Sequence, residues 1–363
     1  MKFNNQESLT TQQTVMIITN FILGIGILTL PRAAAEKVKT PDIWLSIIIG
    51  GLIAILAGFV IVKLSQQFPK KTFYEYSQDI LGKWLGCLLN LIVVGYFVAM
   101  SSVMLRAMAE VNILFLLEGT PRWAMIIAFM WVGFYLVIGG LSAITRLFQL
   151  IFPITVIIFI MIAGMSLKVF DINHLRPVLG LGLGPVLKGV QSTALSFGGF
   201  EIMLFLVAFM RDPKKANKAV LFGIGIPVII YVTTALMVIG ALSVDGVISL
   251  TWPTITLIKS IEFPGIIFER YESLLLVIWM MEIFTTFVIT HYTAAMGFAQ
   301  SFKKELRPFL YFLMPVIYIV ALLPVDINEL FALSKGVGNA GLVLFVFLPI
   351  VLLGIAKLRG GRT

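Results

Sequence analysis

The sequence is poor in everything that soluble enzyme chemistry draws on. Charged residues make up 12% of its 363 positions, against about 25% in a typical soluble domain. It has one cysteine, Cys87, which excludes an internal disulfide. Its two histidines, His174 and His291, lie far apart, so no metal-ligand spacing is visible and no metal or cofactor is expected. No H-E-x-x-H, G-x-S-x-G or P-loop string occurs. The run Gly336-Val337-Gly338-Asn339-Ala340-Gly341 matches G-x-G-x-x-G, but it opens an apolar span rather than following a strand, so it carries no dinucleotide meaning. No nucleophile–base pair is assembled, and the chain is not read as an enzyme.

What is present is apolar. Hydrophobic residues make up 59% of the chain, and mean hydropathy is +1.02. Such a chain buries its surface only in lipid, as a polytopic integral membrane protein. The net charge of +9 sits in short basic runs between apolar stretches, which suits lipid headgroups rather than nucleic acid. The polar first ten residues and the long run that follows lack a cleavable-signal pattern.

At roughly 20 apolar residues per crossing, ten all-α spans are expected, near 12–31, 43–62, 84–104, 123–141, 147–167, 186–209, 219–242, 273–298, 309–323 and 337–356. Residues 73–82 suit a short interfacial helix, 168–185 an ordered outer loop, and 243–272 an outer loop with a short helix. With the N-terminus inside, sixteen of the 27 Lys and Arg residues fall on the inner side. Both termini are then cytoplasmic. Ten spans divide as five plus five, forming one membrane domain whose first repeat covers about 12–167 and whose inverted second repeat covers about 186–356.

That division makes spans one and six counterparts, and both are interrupted by glycine. Span one carries Gly24, Ile25 and Gly26; span six carries Phe197, Gly198, Gly199 and then Glu201. Paired interruptions in corresponding positions point to a transporter-type binding site, where backbone freed from a helix can hold a small ligand's charged ends. The competing use of such glycines is close helix packing. Glu201 could shape the break as an anion at a half-helix start, or contact ligand or proton directly. In span eight, Thr285 and Thr286 share a face with Glu282, and either bond their own backbone or reach a ligand. In span three, Tyr96 and Met100 lie one turn apart and suit either packing or a pocket wall. Arg106 and Glu110 suit an ion pair beyond the outer end of span three.

Several strings carry a family likeness: Gly24-Ile25-Gly26-Ile27-Leu28-Thr29-Leu30-Pro31-Arg32-Ala33, Arg106-Ala107-Met108-Ala109-Glu110, Asp171-Ile172-Asn173-His174-Leu175-Arg176-Pro177-Val178, Trp252-Pro253-Thr254 and Thr285-Thr286-Phe287. From end to end the chain resembles the B subunit of bacterial endospore germinant receptors, a branch of the amino acid–polyamine–organocation transporter superfamily. The resemblance implies a LeuT-like fold and a site for a small germinant, most readily an L-amino acid, in the spore inner membrane beside A and C subunits. It places Gly24–Gly26 at a ligand carboxylate and Phe197–Gly199 with Glu201 opposite, with Tyr96, Met100 and Thr285 or Thr286 lining the pocket. The alternative is a secondary amino-acid transporter coupled to protons or sodium. Related proton-coupled transporters can carry a lysine in span five, and residues 147–167 contain none.

Overall fold

The computed structural model describes residues 8–261 and 272–358, excluding the side chains of Ile25 and Glu272. Expectations for Ile25's side chain, for the end of the 243–272 loop and for both termini lie outside the described residues. Fourteen α-helices occur among the described residues, with no extended strand. They are α1 (Thr11–Val38), α2 (Ile43–Ser65), α3 (Phe73–Leu81), α4 (Lys83–Phe115), α5 (Arg122–Ile138), α6 (Gly140–Ser166) and α7 (Leu183–Leu195). There follow α8 (Met203–Leu206), α9 (Ala216–Ser249), α10 (Pro253–Lys259), α11 (Glu272–Ser301), α12 (Leu306–Leu322), α13 (Ile327–Leu342) and α14 (Leu348–Leu358).

Six helical segments are long and apolar enough to cross a membrane, or up to eight when two bent pairs are each taken as one span. The apolar helices α5 and α12, at 17 residues each, sit at the short end of what spans a hydrocarbon core of about 30 Å. Length and hydropathy therefore account for eight crossings, and ten are reached only by adding these two. Span seven ends where the sequence placed it. At Ser243 the backbone turns to φ 61°, so the last residues of α9 form a separate turn.

Helix α1 lies at the centre, packed chiefly against α9 and α11, while α4 packs along α11. The loop before α7 is ordered, as expected. Asp171 N–H donates to the Gly240 carbonyl at 2.9 Å, and Phe170 lies so close to Gly240 that a Cβ there would meet its ring at 2.2 Å. The 73–82 segment does form a helix, with Thr72 and Glu75 in a capping box. Its aromatic residues do not face lipid: Phe73, Tyr74 and Tyr76 are fully buried, and Tyr74 packs on Phe205 at 4.8 Å between centroids. Residues before α1 are tied to those after α8. Leu9 N–H donates to the Phe209 carbonyl at 2.8 Å, and Arg211 N–H donates to the Leu9 carbonyl at 2.9 Å.

Candidate functional site

The two interrupted spans are built differently. In span one the helical backbone runs through the glycines, but the axis bends by 54° between Thr11–Gly24 and Gly26–Val38. Carbonyls at the bend are met by hydroxyls from neighbouring helices. Tyr231 of α9 donates to the Ile22 carbonyl at 2.5 Å, and Thr286 of α11 donates to the Phe21 carbonyl at 3.2 Å. Thr285 reaches the Asn20 carbonyl at 3.4 Å. A hydroxyl has one proton, and each threonine also bonds the Glu282 carbonyl, at 2.8 Å for Thr285 and 3.0 Å for Thr286. The glycines admit these partners: a Cβ at Gly24 would lie 2.6 Å from Thr286 Oγ1, and one at Gly26 would lie 2.1 Å from the Tyr231 hydroxyl.

Span six is interrupted outright. Helix α7 ends at Leu195, residues 196–199 turn, and the chain resumes at Phe200 with its axis rotated by 47°. Gly199 takes φ 131°, open essentially to glycine alone. A Cβ there would stand 2.8 Å from Ile22 Cγ1 and 3.1 Å from its backbone nitrogen, so the two interruptions touch. The amides of Ser196, Phe197 and Gly198 bond back into the last turn of α7. Gly199 N–H instead donates to Glu201 Oε2 at 2.6 Å, and Tyr96 of α4 donates its hydroxyl to Glu201 Oε1 at 2.7 Å. Glu201 is 1% exposed. The amide freed by the break in span six is thus met by the span's own carboxylate.

Beside that carboxylate lies a cavity of about 60 Å³, with Tyr96, Met100, Gly198, Glu201, Ser334 and Gly338 in its wall. Four expected site residues, Tyr96, Met100, Gly198 and Glu201, therefore come together. Gly24, Gly26, Thr285 and Thr286 are placed instead in the α1–α9–α11 contact. Phe197 is buried against Tyr231 at 5.3 Å, and Gly199 against Ile22. The wall from α13 was not anticipated. Its signal was the glycine run set aside above: a Cβ at Gly341 would touch the Tyr96 ring at 3.0 Å, so small residues let α13 approach that ring.

A second buried polar cluster joins spans one, five and eight. Thr155 of α6 donates to Glu282 Oε1 at 2.5 Å. Glu282 Oε2 and Asn20 Oδ1 are buried with no hydrogen-bond partner among the described residues. His291, read as structural, is buried, with its Nε2 3.1 Å from the Leu310 carbonyl.

The model of a family described as "Spore germination protein" matches residues 8–330. The chain belongs to this spore permease family. Relatives in Bacillus subtilis (strain 168) include spore germination protein YndE, 52% identical over 98% of each chain. Spore germination protein A2 is 40% identical, over 97% of this chain and 96% of that one. Among solved structures, MhsT in complex with L-phenylalanine superposes with a TM-score of 0.67 at 11% identity, covering 97% of this chain and 99% of that one. MHP1, a nucleobase-cation-symport-1 family transporter in a closed conformation, does so with a TM-score of 0.59 at 12% identity, covering 99% and 95%. At such identities the likeness shows the fold, which is LeuT-like. This spore permease is a germination-related, transporter-like integral membrane protein.

Proposed function

We propose that this spore permease is the nutrient-sensing subunit of a spore germinant receptor, binding a small germinant, most readily an L-amino acid, beside Glu201. It would lie in the spore inner membrane with both termini cytoplasmic, beside receptor A and C subunits. The observation that carries this reading is the buried Glu201 carboxylate, held between Tyr96 and the Gly199 amide in the wall of a narrow cavity. An ammonium group is the natural partner for a carboxylate out of water. With the Gly199 amide occupied, a ligand carboxylate would need span-one or α13 backbone exposed by rearrangement. A cavity of about 60 Å³ is small beside the roughly 300–1,000 Å³ of drug-sized pockets. Ligand entry therefore requires opening, and the difference in affinity between open and closed forms is what could be passed to partner subunits.

Secondary transport is a second reading, favoured by one observation. The unpaired oxygens of Glu282 and Asn20, between three spans, form a place where a proton or monovalent cation could accompany the ligand. One experiment separates the two. The purified full chain is screened by thermal shift against amino acids, alongside Glu201→Gln, and labelled uptake of any hit is measured in liposomes without partner subunits. Stabilisation by an amino acid, lost in Glu201→Gln, with no uptake, is the receptor result. Uptake driven by a proton or sodium gradient is the transporter result. Stabilisation unchanged in Glu201→Gln rejects the assignment of the pocket.

A further inference from the structure

A second concavity lies at the end of the bundle that the Lys and Arg distribution places outside. It is an open pocket of about 650 Å³ formed where α4 ends, α5 begins and α12 ends. Three charged side chains organise it. Glu110 Oε1 receives Arg106 Nε and Arg122 Nε, each at 2.8 Å. Arg106 also donates through Nη2 to the Val325 carbonyl at 3.3 Å. The Arg106 side chain is 3% exposed and that of Glu110 is 12%, whereas Arg122 is 47% exposed and faces the opening. Two guanidinium groups thus share one carboxylate, leaving a positive charge with one of its carriers withdrawn from water.

Among the described residues, Glu118, Asp326 and Glu329 form no ion pair with either arginine. Asp326 accepts the Asn328 and Glu329 amides at the start of α13, and Glu329 accepts the Val325 amide. Gly119, Thr120, Pro121, Arg122 and Trp123, at the start of α5, line the same pocket. The first amides of a helix have no partner within it and favour an anion. The flank is apolar: Trp123, Leu114 and Leu117 are 54%, 61% and 48% exposed. An indole beside basic groups at a helix end is typical of the headgroup layer.

We infer that Arg106, Arg122 and the start of α5 form a binding site for a phosphate-class anion, presented as the headgroup of an anionic lipid whose chains descend along the exposed side of α5 from Trp123 towards Trp131 and Val132. Guanidinium groups match phosphate oxygens through paired N–H donors. Occupation would complete the charge balance that Glu110 leaves open and brace α4 against α5, independently of the cavity beside Glu201.

The test is native mass spectrometry of the full chain in neutral detergent doped equally with phosphatidylglycerol and phosphatidylcholine of the same acyl chains. A parallel thermal-shift series uses inorganic phosphate alone. Arg122→Gln is the working variant, because its exposed side chain can be lost with little disturbance. Lys304→Gln, at the opposite end of the bundle, controls for general surface charge. Phosphatidylglycerol should be retained over phosphatidylcholine in the native chain and in Lys304→Gln. Its retention should fall roughly fivefold in Arg122→Gln. Stabilisation by phosphate alone, lost in Arg122→Gln and without lipid preference, would keep the site and make its ligand a soluble anion. Equal retention of both lipids with no phosphate effect, or equal responses in the native chain and Arg122→Gln, would overturn the inference.

Discussion

The two interrupted spans carry the same sequence sign, a glycine pair in an apolar run, and resolve it in opposite ways. In α1 the helix stays wound and bends by 54°, and the Tyr231 hydroxyl takes up the Ile22 carbonyl from outside, while Thr285 and Thr286 divide theirs between span one and the Glu282 carbonyl. Between α7 and α8 the helix stops, and the freed amide is taken from within the same span by Glu201. What decides the outcome is the nearest polar group. In span one the neighbouring Asn20 turns its amide to the Phe148 carbonyl of α6, and the bend's polar relief comes from α9 and α11, whose approach the glycines permit. Span six carries a carboxylate two residues beyond its last glycine, which can turn back on the break. Only the second arrangement leaves a charged group in a cavity wall.

Substitutions at three glycines test this contrast, in descending order of expected effect on stability. Gly199→Ala should cost most. Backbone strain at φ 131°, of about 1–3 kcal/mol, adds to overpacking against Ile22 of about 1–3 kcal/mol. Thermal unfolding of the purified chain should show the largest drop in midpoint, and a native-like midpoint would mean span six does not need this turn. Gly26→Ala should cost about 1–3 kcal/mol, because its Cβ meets the Tyr231 hydroxyl at 2.1 Å. Adding Tyr231→Phe should recover part of that loss, a non-additive result expected of residues in contact. Strict additivity would separate the bend from Tyr231. Gly198→Ala should scarcely move the midpoint, since its Cβ finds only the Leu195 carbonyl at 3.4 Å. It would nonetheless narrow the cavity, so amino-acid stabilisation should weaken while the fold holds. Unchanged ligand response there would place the ligand elsewhere.

Much of this was legible in the sequence because lipid imposes long apolar runs. Spans two, three, five, seven, eight and ten can be read from hydropathy, and Ser243 turns the chain next to the expected end of span seven. Tyr96, Met100, Gly198 and Glu201, which line one cavity, stand out in the sequence because polar, small or adaptable side chains contrast with aliphatic surroundings. The placement of Gly24, Gly26, Thr285 and Thr286 was less accessible, because a glycine that admits a hydroxyl and one that admits a ligand look the same along the chain. Nor does spacing reveal that Thr155 reaches Glu282 across 127 positions. The α13 wall was hidden by its chemistry: Ser334, Gly338 and Gly341 matter for how little room they take.

The short pairing of Leu9 with residues 209–211 yokes the front of the first bent helix to the rear of the second. Both bent helices are therefore tied at that end by main-chain bonds, whereas at the other end Val38 only packs against Gly189 of α7. Straightening either one swings its far tip through the widest arc, while the moored ends hold station. Spectroscopic labels near Val38 and Leu183 should change separation when a nutrient arrives, whereas a pair near Thr11 and Asp212 should stay still.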